Sequence, residues 1–191
     1  IDKSDNLGKA IGEGKLVICL PEFATPEEYQ TLLTAGVDAT KRLEAAAARG
    51  RSRFSVSDPN VFSQDIVFTA EEILLRAMDY LDEKIPSIYE WLFSPGPEWV
   101  QRQPLNAQLE QPDTPPEAYL GENCETLRDL YMMGELEWSE GEPAINIYSE
   151  GGYFGAHKDH LALTLLIPLT SPEGDFDGGG TGFWAGNRNV D

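Results

Sequence analysis

The sequence predicts an α+β fold in which supporting helices come first and a turn-rich antiparallel β body follows. Two Thr-led capping signatures, Thr25-Pro26-Glu27-Glu28 and Thr69-Ala70-Glu71-Glu72, stand in the first half, the second opening an apolar stripe at helical spacing. From Leu136 onward apolar residues alternate with polar ones, as in half-buried strands. Between the two halves lies a proline-dense stretch that suits neither element. Helices followed by strands mark either an α+β domain or a β-barrel with a helical buttress.

Residues 1–15 read as a leader, with three glycines among charged residues. One domain fills 16–191. Its first element, Leu16-Val17-Ile18-Cys19-Leu20, is short, apolar and β-branched, as in a buried strand with Cys19 in the core. The helical support spans 25–93. Thr25 and Glu28 can cap each other's amides, and Pro26 suits the first helical position. That helix is predicted to continue through the Ala-rich 44–48 stretch to Gly50, despite Gly36 inside it. After Thr69, the spacing of Ile73, Leu74, Ala77, Met78 and Leu81 predicts a second helix with one face in a core. Pro86 ends it, or restarts a short helix over Ile88, Trp91, Leu92 and Phe93. Residues 94–121 read as a long irregular loop, a lid and a linker being equally open. In the β core, 136–191, Ala144–Tyr148 is a strand and Ser149-Glu150-Gly151-Gly152 a turn. Leu161–Leu169 is a second strand, and Asp177-Gly178-Gly179-Gly180 a turn into Thr181-Gly182-Phe183-Trp184.

With 191 residues, the chain suits one domain with a sizeable core. Its formal net charge of −19 repels nucleic acid and anionic membranes and attracts basic partners, or simply keeps the protein soluble. Cys19 and Cys124 lie far apart, in no metal-ligand spacing; a disulfide between them is open, and so is the redox compartment. No apolar run approaches the roughly 20 residues of a membrane span. No signal peptide is visible after Ile1, and ER lumen, organelle and cytoplasm all stay open.

The chemistry concentrates in Gly155-Ala156-His157-Lys158-Asp159-His160, which holds both histidines of the chain. Side chains two apart on an extended segment point the same way, so His157 and Asp159 can aim an imidazole and a carboxylate at one point. They supply two corners of a 2-His-1-carboxylate face, a set that suits non-haem Fe(II). His160 points the other way on a regular strand. Zn2+ at His157, Asp159 and His160 is a weaker reading, because three ligands within four residues rarely close a tetrahedral site. A solvated histidine beside charges is the plain alternative.

The stretch Ile145-Asn146-Ile147-Tyr148-Ser149-Glu150-Gly151-Gly152-Tyr153-Phe154-Gly155-Ala156-His157-Lys158-Asp159 resembles the iron-site segment of prolyl 4-hydroxylase-type, Fe(II)- and 2-oxoglutarate-dependent oxygenases. Leu163-Thr164-Leu165-Leu166-Ile167-Pro168-Leu169 resembles that family's following strand. Phe176-Asp177-Gly178-Gly179-Gly180-Thr181-Gly182-Phe183 resembles its Gly-rich turn. The resemblance covers about residues 144–184 and implies a double-stranded β-helix, or jelly-roll, with iron in its mouth. It implies Fe(II) on His157 and Asp159, and 2-oxoglutarate contacts from Tyr148, Thr181 and, less directly, Thr164. It further implies a peptidyl proline or similar protein side chain as substrate, with ascorbate as an auxiliary reductant. Tyr148 also reads as a barrel-filling aromatic, and Thr181 as a β-former beside a bulge.

The family pattern also includes a distal His and a Lys or Arg on late strands, and neither follows His160 in the expected place; Arg188 comes too soon. The chain therefore reads as about half a barrel, which leaves strand edges open. The first expectation is that the protein continues past Asp191. Alternatively, another polypeptide covers the edge, or the chain is a non-catalytic interaction subunit with a degenerate oxygenase fold.

Overall fold

The computed structural model describes residues 10, 16–43, 50–86, 88–93, 126–157, 159, 161–171, 174–177 and 180–183. The leader apart from residue 10, the helix end over 44–48, the loop 94–121, Cys124, Lys158, His160, Gly178, Gly179 and 184–191 lie outside the described residues.

Helix α1, Pro26–Leu43, begins as its sequence dictates. Thr25 N donates to Glu28 Oε2 at 2.8 Å, and Glu28 N donates to Thr25 Oγ1 at 3.2 Å, so two otherwise orphaned amides satisfy each other. The helix then buries Leu32, Gly36 and Ala39. Gly36 is where it meets the sheet: a Cβ there would come within 2.8 Å of Ile145 Cγ2 and 3.2 Å of Ile147 Cδ1. The helix tolerates its poor helix former because only a bare Cα lets the sheet approach so closely.

Strand β1, Arg51–Ser55, pairs antiparallel with β2, Ala144–Tyr148. Their register places Arg51 opposite Tyr148, Arg53 opposite Asn146 and Phe54 opposite Ile145. Alternation follows. Ser52, Phe54, Ile145 and Ile147 turn toward α1 and the core, whereas Arg53, Asn146 and Tyr148 are exposed on the other face. The predicted β2 is therefore in place. β1 went unforeseen, because Arg51-Ser52-Arg53-Phe54-Ser55 holds a single apolar residue.

Helix α2, Gln64–Lys84, is the central element. It starts five residues before the predicted Thr69. Ser63 is its N-cap residue, and Thr69 sits inside the helix, its Oγ1 donating to the Asp65 carbonyl at 2.9 Å. The apolar stripe that drives burial already begins at Ile66, which overrode the local capping signature. All five predicted stripe residues are buried, Ile73 completely. The helix stops before Pro86 as predicted, and a short α3 follows, Ile88–Phe93. A further short helix, α4, Leu127–Met132, is capped by Thr126 Oγ1, which accepts from Asp129 N at 3.0 Å.

Two apolar clusters flank α2. One joins Leu74, Met78 and Leu81 to Ile88, Leu92, Leu127 and Leu130; the other joins Ile66 and Ile73 to Leu32, Ala39, Phe54, Val56, Phe62 and Ile145. Residues 163–169 cross both. Leu163, Leu165, Ile167 and Leu169 are half-buried against the clusters, and the residues between them are exposed. This is strand-like alternation, yet no ladder forms there, because the only strands among the described residues are β1 and β2. The predicted strand over 16–20 is likewise not formed. Val17 and Ile18 are exposed, and so is Cys19, a free thiol rather than the predicted core residue. Only Leu16 reaches the core, and no described strand lies beside this run to cover its other side chains.

Candidate metal centre

The predicted turn delivers the chain to the site. Gly152 N donates to the Ser149 carbonyl at 2.8 Å, and Gly151 takes the φ of +71° that such a turn requires. Gly50, just before β1, clamps the turn from the side: its carbonyl accepts from Ser149 N at 2.8 Å. A Cβ on Gly152 would collide with the Gly50 carbonyl oxygen, so the two backbones touch only because residue 152 is glycine.

Beyond the turn, His157 and Asp159 converge. His157 Nε2 lies 2.9 Å from Asp159 Oδ1, and His157 Nδ1 lies 2.9 Å from the Gly155 carbonyl oxygen. Thr164 Oγ1 donates to Asp159 Oδ2 at 2.9 Å. Thr164 thus holds one carboxylate oxygen and leaves the other facing the imidazole. Phe154 backs the imidazole, with ring centroids 4.1 Å apart, and the Arg51 guanidinium carbon lies 4.0 Å from the same Phe154 centroid.

Gly155 O and Asp159 Oδ1 both accept only, and a neutral imidazole carries one N–H, so the tautomer decides which of the two 2.9 Å contacts is its hydrogen bond. A histidine that ligates a metal through one nitrogen characteristically donates the other N–H to a carbonyl, the role open to Gly155. Ligands at about 2.1 Å from a metal and at right angles stand about 3 Å apart, which is close to the spacing of Nε2 and Oδ1. The two residues therefore fit a divalent cation. No third His, Cys, Asp or Glu joins them among the described residues.

Of the residues predicted from sequence, three come together: His157, Asp159 and Thr164. Thr164 acts on the carboxylate, a more specific part than the general cofactor contact expected of it. Tyr148 stands on the open face of the sheet, 45% exposed and opposite Arg51. Thr181 is exposed and makes no hydrogen bond to the pair. Phe154 and Arg51 were missed. The aromatic before His157 was visible in the sequence, but its stacking partner comes from β1, about a hundred residues earlier.

Compared with known proteins, the chain matches no family model, no curated protein and no solved structure. No helix among the described residues is long and apolar enough to cross a membrane.

Proposed function

We propose that this chain carries the iron-binding segment of an Fe(II)- and 2-oxoglutarate-dependent hydroxylase acting on a peptidyl proline or similar protein side chain. The observation that carries the reading is the meeting of His157 Nε2 and Asp159 Oδ1 at 2.9 Å, a spacing that suits two ligands of one cation. The sequence resemblance over 144–184 supports the same chemistry and the jelly-roll fold with it. Bound iron, with 2-oxoglutarate and dioxygen, supplies the oxidising power that converts a C–H bond to C–OH while 2-oxoglutarate becomes succinate and CO2.

The chain's own residues have defined parts. His157 presents Nε2, its ring fixed by the Gly155 carbonyl and the Phe154 face. Asp159 presents Oδ1, its rotation limited by Thr164. Tyr148 offers a hydroxyl from the open sheet face to a bound cosubstrate. The test is succinate release with added Fe(II) and 2-oxoglutarate. It should require both additions, and His157→Ala and Asp159→Ala should each abolish it. Release that is indifferent to Fe(II) would remove the reading.

A second reading, a non-catalytic interaction subunit, draws on residues 163–169. They keep strand-like alternation, and their backbone groups form no hydrogen bond with other described residues. Such an edge suits pairing with another strand. This reading predicts a stable complex with another polypeptide and no turnover.

A further inference from the structure

An apolar cleft opens on the helical side of residues 163–165. The buried Leu74 and Met78 of α2 form its bottom, and the half-buried Leu136, Leu163 and Leu165 stand around them. Trp138 lines the same cleft and is 36% exposed, so a large ring is only partly covered. The cleft holds about 390 Å³, its open mouth included. Thr164, between the two leucines, turns the other way and meets Asp159. The alternation of this segment thus puts the cleft and the metal pair on opposite sides of it.

The end of α4 fixes the wall that Leu136 and Trp138 form. Glu135 N donates to the Leu130 carbonyl at 2.9 Å and Gly134 N to the Tyr131 carbonyl at 3.1 Å, a pair of bonds that closes a helix and turns the chain back. Gly134 takes the φ of +77° that this closure needs. Tyr131, also on the cleft, is held through its hydroxyl, which donates to Glu71 Oε1 at 2.9 Å. A ligand therefore meets a preformed wall.

The charge around the cleft is one-sided. Between Arg128 and Lys158 the sequence holds six acidic residues and no Lys or Arg. Glu137 lines the cleft, and Glu135 and Glu140 are exposed close by in sequence. None of these three forms an ion pair among the described residues. An apolar hollow beside unpaired carboxylates repels a second copy of a chain whose net charge is −19. It suits a basic segment that buries an apolar side chain while its lysine or arginine stems cover the rim.

We propose that the cleft between α2 and residues 136–138 docks a basic polypeptide segment, one or two of whose apolar side chains enter between Leu74, Met78 and Trp138. This docking does not rest on the hydroxylase reading.

The experiment titrates the full chain with a blocked hexapeptide of two leucines flanked by lysines. NMR follows the Trp138 Nε1–H and the methyl groups of Leu163 and Leu165. Two control peptides replace the leucines by alanine, or the lysines by glutamate. The leucine–lysine peptide should shift all three sets of signals. The alanine peptide should bind about tenfold more weakly, since it leaves the cleft unfilled, and the glutamate peptide should cause no shift. Trp138→Ala should weaken binding, and Glu137→Lys should weaken it about threefold or more. Glu27→Lys makes the same change in net charge on α1, outside the cleft, and should leave the affinity nearly unchanged. Shifts that bypass these three side chains, or equal binding of the leucine and alanine peptides, overturn the docking site. So does equal weakening by Glu137→Lys and Glu27→Lys, which reduces the effect to bulk charge. Sedimentation of the peptide-free chain tests the other occupant: a dimer lost in Trp138→Ala would assign the cleft to a second copy and overturn the basic segment.

Discussion

The helical half and the segment after Gly152 are built on opposite terms. Around α2, side chains are buried, Thr25 and Thr126 cap the N-termini of the neighbouring α1 and α4, and ion pairs tie one element to the next. From Tyr153 to Thr164, most of the described residues are exposed, and side-chain hydrogen bonds stand in for a ladder. Stability therefore resides in the first region, and the proposed chemistry in the second. What joins them is narrow: the Gly50–Gly152 contact, the Arg51–Phe154 stack and the apolar side of 163–169.

That contrast is open to direct attack. Ile73→Ala should have the largest effect on stability, since a fully buried side chain sits between α2 and the second cluster. A loss of about 2–5 kcal/mol is expected from urea denaturation. By comparison, His157→Ala should leave the urea midpoint nearly unchanged while removing the proposed metal binding. Equal destabilisation by the two would show that the regions are not energetically separate.

Gly152→Ala should come next, at about 1–3 kcal/mol, because its new Cβ meets backbone rather than a side chain that can move aside. It should also weaken the proposed metal binding at His157 and Asp159, since the turn aims that segment. Unchanged metal affinity would place the aiming elsewhere, in the Thr164 and Phe154 contacts.

The smallest effect is a pH dependence confined to the helical half. The Arg76 guanidinium, donating to both oxygens of Glu28, holds that carboxyl below its ordinary range, helped by the Thr25 cap. A depressed folded-state pKa gives stability that is full above the unfolded value and lost as pH falls through the folded one. Burial raises Asp82 despite the Leu127 amide at 3.0 Å, so its contribution has the opposite sign: the cost of its charge is relieved as pH falls through its raised value. Arg76→Met should flatten the acid loss in urea midpoints between neutral and acid pH, and Asp82→Asn should steepen it. An unaltered acid limb in Arg76→Met would show that the Glu28 pair does not carry it.

Sequence alone determined the features that rest on local rules. The Thr25–Glu28 box, the stop before Pro86, the stripe from Ile73 to Leu81, the alternation of Ala144–Tyr148 and the turn at Ser149–Gly152 all depend on neighbours a few residues apart. The His-x-Asp spacing likewise placed two donors on one side of the chain. Tertiary structure decided everything that needed a distant partner. It chose Ile66 over Thr69 as the effective start of burial on α2, and recruited Arg51–Ser55 as a strand through its pairing with 144–148. It left 16–20 and 161–169 outside any ladder, and brought Arg51 to Phe154 and Thr164 to Asp159. The physical reason is that caps, turns and periodicity are short-range, whereas a strand exists only through its neighbour and a site only through the elements that meet there.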